Sequence, residues 1–344
     1  MSEKNLSNWD SLQKESTERL DRAFAEAQGH FFMGSPMRDM LEYHFKSGGK
    51  RIRPLLVFGA ALSYARKMGC DETSILDIAQ PYALAVELLH NATLIHDDIQ
   101  DGDRTRRGAE TLWVKYSTAQ AINCGDAWFF VPNLLIQEAA YGPELKLSLL
   151  ELLQRKTLAV IEGQAQEFEL KERFAHGEDI TVLQYLAMVE GKTSALFSMP
   201  LIGGARIGGA GAVETEALEK AALHLGHAFQ IQDDLLDLWG DKGRDQAGSD
   251  IAEGKLSYPL VLLLARLGRG SHERAKVEAI VRAPREKTSA EDVAYVIHCM
   301  EKEGVKEVAK DDFHRHLKEA RGAEFWADVV EYLASFLEEK VKGF

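Results

Sequence analysis

Cysteine, proline and uninterrupted apolar runs are all scarce in this chain, and each scarcity excludes something. Three cysteines, Cys70, Cys124 and Cys299, are spread over 344 residues without metal-ligand spacing, so neither a disulfide framework nor a cysteine zinc site is encoded, and reduced thiols in a cytoplasm are the simplest reading. Eight prolines leave long segments free to be helical, and no linker or low-complexity stretch divides the chain, so one domain over residues 1–344 is expected. Strand-like alternation is scarce as well, which points to an all-α fold. There is no apolar run of the roughly 18 residues that a membrane span needs, and the first twenty residues are polar and charged, so neither stable membrane insertion nor a signal peptide is expected. Positive charge is the minority sign: 41 Lys and Arg against 54 Asp and Glu give a net charge of −13. That balance opposes broad adhesion to nucleic acid or anionic lipid, while leaving room for a local basic pocket.

What the chain does have is helical periodicity and two aspartate clusters. Amphipathic patterns run from Ile78 to Ile99, Leu145 to Phe168, Leu218 to Leu238 and Val329 to Val341, with breaks expected at Gly34-Ser35-Pro36, Gly142-Pro143, Gly203-Gly204 and Gly240 to Gly248. Inside two of these patterns stand Asp97-Asp98-x-x-Asp101 and Asp233-Asp234-x-x-Asp237, 136 positions apart. On a helix, residues i and i+4 lie about 40° apart in azimuth and roughly 6 Å apart in space, so each cluster forms a carboxylate claw. Like charge packed this closely calls for cations, and hard oxygen ligands with room for water suit Mg2+. Basic segments flank the first claw: Gly48-Gly49-Lys50-Arg51-Ile52-Arg53-Pro54 upstream and Arg104-Thr105-Arg106-Arg107-Gly108 downstream. Glycines admit phosphate oxygens to the backbone, Lys offers a point charge and Arg a bidentate fork. Acid claws beside basic loops are what a diphosphate with bound magnesium requires.

In these residues the chain resembles the trans-type isoprenyl (polyprenyl) diphosphate synthases, between Gly48 and Pro259. The motifs follow in family order: Gly-Gly-Lys-Arg-Ile-Arg-Pro, then His90 seven residues before the first claw, Arg106-Arg107-Gly108 after it, Glu162-Gly163-Gln164, Gly191-Lys192-Thr193, Phe229 to Asp237, and Asp250 to Lys255. The resemblance implies an isoprenoid synthase-type helical bundle around a deep central cavity, a homodimer, and prenyl transfer from an allylic diphosphate to isopentenyl diphosphate with three Mg2+ ions. It implies that Asp97 and Asp101 hold two of these ions and Asp233 the third, with Asp98, Asp234 and Asp237 in support. Arg106, Lys192, Thr193 and Gln230 would contact the allylic diphosphate, and Lys255 would lie near the allylic group. Gly49, Lys50, Arg53, His90 and Arg107 match the isopentenyl diphosphate site.

Two departures stand out. Three residues before Gly248, where the family carries a lysine, this chain has Asp245, and that role is assigned to neither Lys242 nor Arg244. Glu167 replaces an aspartate after Gly163-Gln164. Product length in the family depends on the residues just before the first claw, here Ala92 and Thr93, with Leu89, Val86 and Trp128 to Phe130 as candidate floors. Both side chains are small, which favours geranylgeranyl diphosphate (C20) over C15; longer products of C25 to C40 and a non-catalytic subunit of a heteromeric synthase are the alternatives. A terpene cyclase is disfavoured by the second Asp-Asp-x-x-Asp motif and by Gly48 to Arg53. Gly203 to Gly211 lacks the pattern of a nucleotide loop and reads as a small-residue helix connection.

Overall fold

The structure, a computed structural model, describes residues 3–240, 248–322 and 328–341, the side chains of residues 3–8 excepted. Its helices are α1 (Glu3–Phe31), α2 (Met37–Lys46), α3 (Ile52–Lys67), α4 (Glu72–Gln100), α5 (Leu112–Lys115), α6 (Thr118–Glu138), α7 (Pro143–Ala175), α8 (Val182–Val189), α9 (Ala195–Ile207) and α10 (Ala212–Trp239). They continue with α11 (Ser249–Ala252), α12 (Tyr258–Arg266), α13 (His272–Val281), α14 (Ala290–Lys302), α15 (Val305–Arg321) and α16 (Asp328–Val341). The described strands form one antiparallel hairpin, β1 (Thr105–Arg106) and β2 (Ala109–Glu110). The fold is therefore all-α, and the helical patterns read from the sequence fall inside α4, α7, α10 and α16. The loop from Lys242 to Asp245 lies outside the described residues.

The chain forms two compact units. The first comprises Met1–Thr157, Leu196–Leu218 and Ala327–Val329. At its centre α4 packs on α3 and α6, and α1 packs on α3 and α4. Asp71 starts α4 as an N-cap, its carboxylate accepting the Ser74 N–H at 2.9 Å. Leu84, Leu88, Ala92 and Ile95 recur at helical spacing and bury one stripe of α4 with Phe24 of α1, Phe45 of α2, and Cys124 and Trp128 of α6. At 100° per residue the opposite stripe carries His90, Thr93, Asp97 and Asp101. The apolar pattern thus decides which way the first aspartate motif points.

Gly203 and Gly204 do not break a helix as expected; both lie inside α9. A Cβ on Gly203 would sit 2.0 Å from the Tyr82 ring, and one on Gly204 2.3 Å from the Val57 carbonyl oxygen. Their use is close approach of α9 to α3 and α4, and α9 ends only at Ile207.

The second unit comprises Leu158–Ala195, Glu219–Trp326 and Val330–Phe344. Here α12 packs on α8, α14 and α15, and α14 also meets α13 and α15. A capping box between Thr181 and Gln184 opens α8. The helix then loosens into a π-helical turn, Glu190–Ser194, that contains Gly191-Lys192-Thr193. Single π turns of this kind are rare and gather at functional sites. Gly163 allows the tight local packing, because a Cβ there would lie 2.2 Å from the backbone nitrogen of Lys192.

Candidate active site

The basic loops of the first unit converge on His90. Arg53, Arg107, Arg106 and Arg51 all act on its ring, and burial together with these four cations holds its pKa well below the ordinary value. Its buried Nδ1 has no hydrogen-bond partner. His44, missed by the sequence reading, lies in the same field: burial first, then Arg106, Arg107 and Arg51, bring it down to about 3. Arg53 itself is pushed down to about 10, chiefly by burial, with Arg107 adding to the shift, and its Nε is buried without a partner. Positive charge is therefore concentrated around neutral imidazoles, as an anion site requires.

Local backbone geometry builds this cluster. The hairpin turns through Arg107 (φ 53°) and Gly108 (φ 79°), both left-handed, as two-residue type I′ turns demand. The turn sends the Arg107 guanidinium back across Gly49, where a Cβ would lie 2.7 Å from Nη1; Gly49 has φ 149°, a conformation suited to glycine. Arg51 differs from its neighbours. It is buried, donates to Glu87 at 2.5 Å and to the Phe45 carbonyl at 2.6 Å, and lies over the Phe45 ring. The sequence counts it among the anion ligands; the structure makes it the bolt that closes the loop onto α4. Lys50 is exposed.

In the first aspartate motif, Asp97 is half-buried and Asp101 exposed, while Asp98 is buried. Asp101 caps α4, its N–H bonded to the Asp97 carbonyl at 2.8 Å, so the helical register of the claw is kept to its last residue. Asp98 accepts from Arg106 Nε at 2.6 Å. Burial nonetheless raises its pKa to about 6, outweighing the guanidinium, and its Oδ2 is buried without a partner.

The second motif repeats this division within the other unit. Asp233 is exposed; Asp234 and Asp237 are buried. Asp234 accepts from Tyr185 Oη at 2.7 Å, the Tyr258 N–H at 2.6 Å and Gln230 Nε2 at 3.0 Å. Burial, followed by the nearby Asp250, still raises its pKa to about 7. Asp237 accepts from Ser249 Oγ at 2.6 Å and the Asp250 N–H at 3.1 Å, which fixes the start of α11. Thr193 donates to Gln230 Oε1 at 3.0 Å, linking the π turn to Asp234. Lys192 is paired with Glu167, and Lys255 with Glu253 at 3.0 Å. Tyr185, Tyr258 and Ser249 had no sequence signal, because each acts through a contact distant in the chain.

Of the chain-length positions, Ala92 and Leu89 are fully buried. Ala92 belongs to the packed stripe with Trp128, whereas Thr93 lies on the Asp97 stripe and donates its hydroxyl to the His90 carbonyl at 2.7 Å. Phe130 is exposed.

The donor set fits hard divalent cations. Carboxylate oxygens are the ligands offered, and both motifs lie at helix C-termini, where the backbone carbonyls favour positive charge. Burial raises Asp98 to about 6 and Asp234 to about 7 even though Arg106 holds the first and three donors hold the second, so desolvation is the chief cost of negative charge at these two positions.

Residues 35–300 match the polyprenyl synthetase family. The chain is 35% identical over 251 residues to the geranylgeranyl diphosphate synthase of Methanosarcina mazei, covering 70% of this chain and 73% of that one. It is 35% identical over 238 residues to the farnesyl diphosphate synthase of Geobacillus stearothermophilus, covering 67% and 76%. The solved polyprenyl synthase of Caulobacter crescentus CB15, complexed with calcium and isoprenyl diphosphate, matches with a TM-score of 0.77 at 27% identity over 96% of this chain and 97% of that one. The chain belongs to the polyprenyl synthetase family, and it is an enzyme of that kind, a prenyl diphosphate synthase with the isoprenoid synthase all-α fold. No helix among the described residues is long and apolar enough to cross a membrane.

Proposed function

We propose that this enzyme is a magnesium-dependent trans-prenyltransferase, condensing allylic diphosphates with isopentenyl diphosphate to an all-trans product of C20 or longer, as a cytoplasmic homodimer with one catalytic domain over residues 1–344. The observation that carries the reading lies in the first unit. The Asp97 and Asp101 carboxylates stand on the same stripe of α4 as His90, around which Arg53, Arg106 and Arg107 gather, and Asp98 joins the two sets by holding Arg106. A cation site and an anion site share one helix face.

In the reaction, the allylic carbon–oxygen bond breaks and its electron pair leaves with diphosphate. The double bond of isopentenyl diphosphate supplies the pair for the new carbon–carbon bond, and a proton then leaves the carbon next to the resulting cation, going to the released diphosphate. Bound magnesium supplies positive charge against the leaving group as its charge develops. Asp97 and Asp101 would hold two ions and Asp233 a third, with Asp98, Asp234 and Asp237 fixing the backbone around them. Arg106, oriented by Asp98, aims its remaining donors at the allylic diphosphate, and Lys192, Thr193 and Gln230 bind the same group. Such preorganised donors stabilise the developing charge without reorganising. Gly49, Lys50, Arg53, His90 and Arg107 hold isopentenyl diphosphate, whose charge relieves the crowding of guanidiniums, and this orientation of the two reactants replaces a random encounter. Lys255 lies near the allylic group. Thr93, small and on the Asp97 stripe, leaves the tail room to grow past the C15 stage.

The test is incubation with Mg2+, labelled isopentenyl diphosphate and each of the C5, C10 and C15 allylic diphosphates, with products separated by chain length after dephosphorylation. A single product of C20 or longer is expected. Termination at C15 would overturn the length assignment, and no elongation from any primer would overturn the function.

A further inference from the structure

In the second unit, remote from the aspartates in chemistry, three histidines meet. His224 and His227 stand three residues apart on one face of α10, and His316 reaches them from α15; one ring nitrogen of each lies within 4.8 Å of the other two. His224 Nδ1 and His316 Nδ1 are 3.0 Å apart. Two nitrogens on one tetrahedral zinc ion, each about 2.0–2.1 Å from it, would be about 3.3 Å apart, so the rings are already near ligating separation. His227 directs Nε2 at the Leu186 carbonyl, 3.2 Å away. That contact places the proton on Nε2 and leaves Nδ1 a bare lone pair, which is how a metal-ligating imidazole is oriented by a carbonyl behind it.

A purely structural histidine cluster would satisfy its own hydrogen bonds. This one leaves His227 Nδ1 buried without a partner, in a residue 7% exposed. We propose that His224, His227 and His316 form a binding site for one borderline transition-metal ion, zinc in the first instance, which ties α10 to α15. Three imidazoles with no carboxylate in the cluster suit zinc, cobalt, nickel or copper and not magnesium. Glu319 faces His224 and Asp312 faces His316, each partly offset by Arg315, so carboxylate charge lies close by. His224 is only half-buried, which gives an ion a way in.

The position gives the site a role. His227 precedes Asp233 by six residues, about 9 Å along α10. Asp312 of α15 accepts from Tyr258 Oη at 2.7 Å, and the Tyr258 N–H donates to Asp234 at 2.6 Å. An ion at the histidines would brace the segment of α10 that presents the second aspartate motif, without touching substrate.

The experiment uses full-length, tag-free protein stripped with chelator and held in excess Mg2+ to occupy the carboxylates, then titrated with Co2+. The expected result is a strong visible ligand-field band of low coordination number that saturates at one Co2+ per chain and is displaced by Zn2+. Zn2+ alone should raise the melting temperature by roughly 3 °C or more. His224→Gln, at the half-buried position, should abolish the band and the zinc shift while keeping the metal-free melting temperature and prenyl transfer in Mg2+; His316→Gln should abolish the band as well. A weak octahedral spectrum that Mg2+ competes away, or a band unchanged in His224→Gln, would overturn the proposal.

Discussion

The two aspartate motifs share a spelling and differ in how much of it they leave open. In the first, Asp97 and Asp101 remain accessible and only Asp98 is turned inward, where it holds Arg106. In the second, Asp233 alone is exposed; Asp234 gathers three donors and Asp237 pins the start of α11. The middle aspartate is a brace in both. A carboxylate is a strong acceptor as well as a metal ligand, and burial decides between the two uses. The account therefore separates catalytic loss from loss of stability, residue by residue.

The largest effect should come from the open aspartates. Asp97→Ala or Asp233→Ala should lower kcat by about 10³-fold or more at an unchanged melting temperature, a loss on the scale of removing a group that stabilises developing charge; near-normal kinetics in either would break the comparison. Arg51→Ala should instead act on folding. It removes the guanidinium paired with buried Glu87, and breaking a buried ion pair costs about 3–5 kcal/mol, so denaturant unfolding should shift sharply. Asp234→Asn turns an amide toward groups that donate, and should cost about 1–3 kcal/mol in the same measurement, a penalty absent from Asp233→Asn. Arg53→Ala should raise KM for isopentenyl diphosphate on the order of tenfold with a smaller change in kcat.

Smaller effects sharpen the picture. Thr93→Phe should shorten the product, because Thr93 shares the Asp97 stripe; Ala92→Phe must also intrude on the packed cluster around Trp128 and should lower the melting temperature. An unchanged product from Thr93→Phe would move the tail elsewhere. Acid sensitivity follows from His44, buried and lowered from 6.5 to about 3. Its unfolded form binds a proton that the folded form refuses, so its contribution is fully present above about pH 6.5 and declines as pH falls toward 3. Replacing His44 with Gln should flatten the decline in melting temperature over that window.

The helices were legible because their apolar spacing is strong: α4, α7, α10 and α16 lie where the periodicity places them. Gly203-Gly204 misled because a glycine pair that breaks a helix and one that lets two helices touch look alike in sequence, and only the Tyr82 ring and the Val57 carbonyl distinguish them. Within the site, residue types and order revealed the two claws and the basic loops. They did not reveal that Arg51 is bolted to Glu87, or that Tyr185, Tyr258 and Ser249 occupy Asp234 and Asp237. Those facts depend on pairs up to 49 residues apart, which no local spacing encodes. The histidine cluster was equally hidden, since 92 residues separate His224 from His316.

The division between open and bracing aspartates is tested most directly by counting Mn2+ ions taken up per chain on addition of an unreactive allylic diphosphate analogue, in wild type, Asp233→Ala and Asp97→Ala. The account predicts three diphosphate-dependent ions in wild type and fewer in each variant. The same count in all three proteins would contradict it.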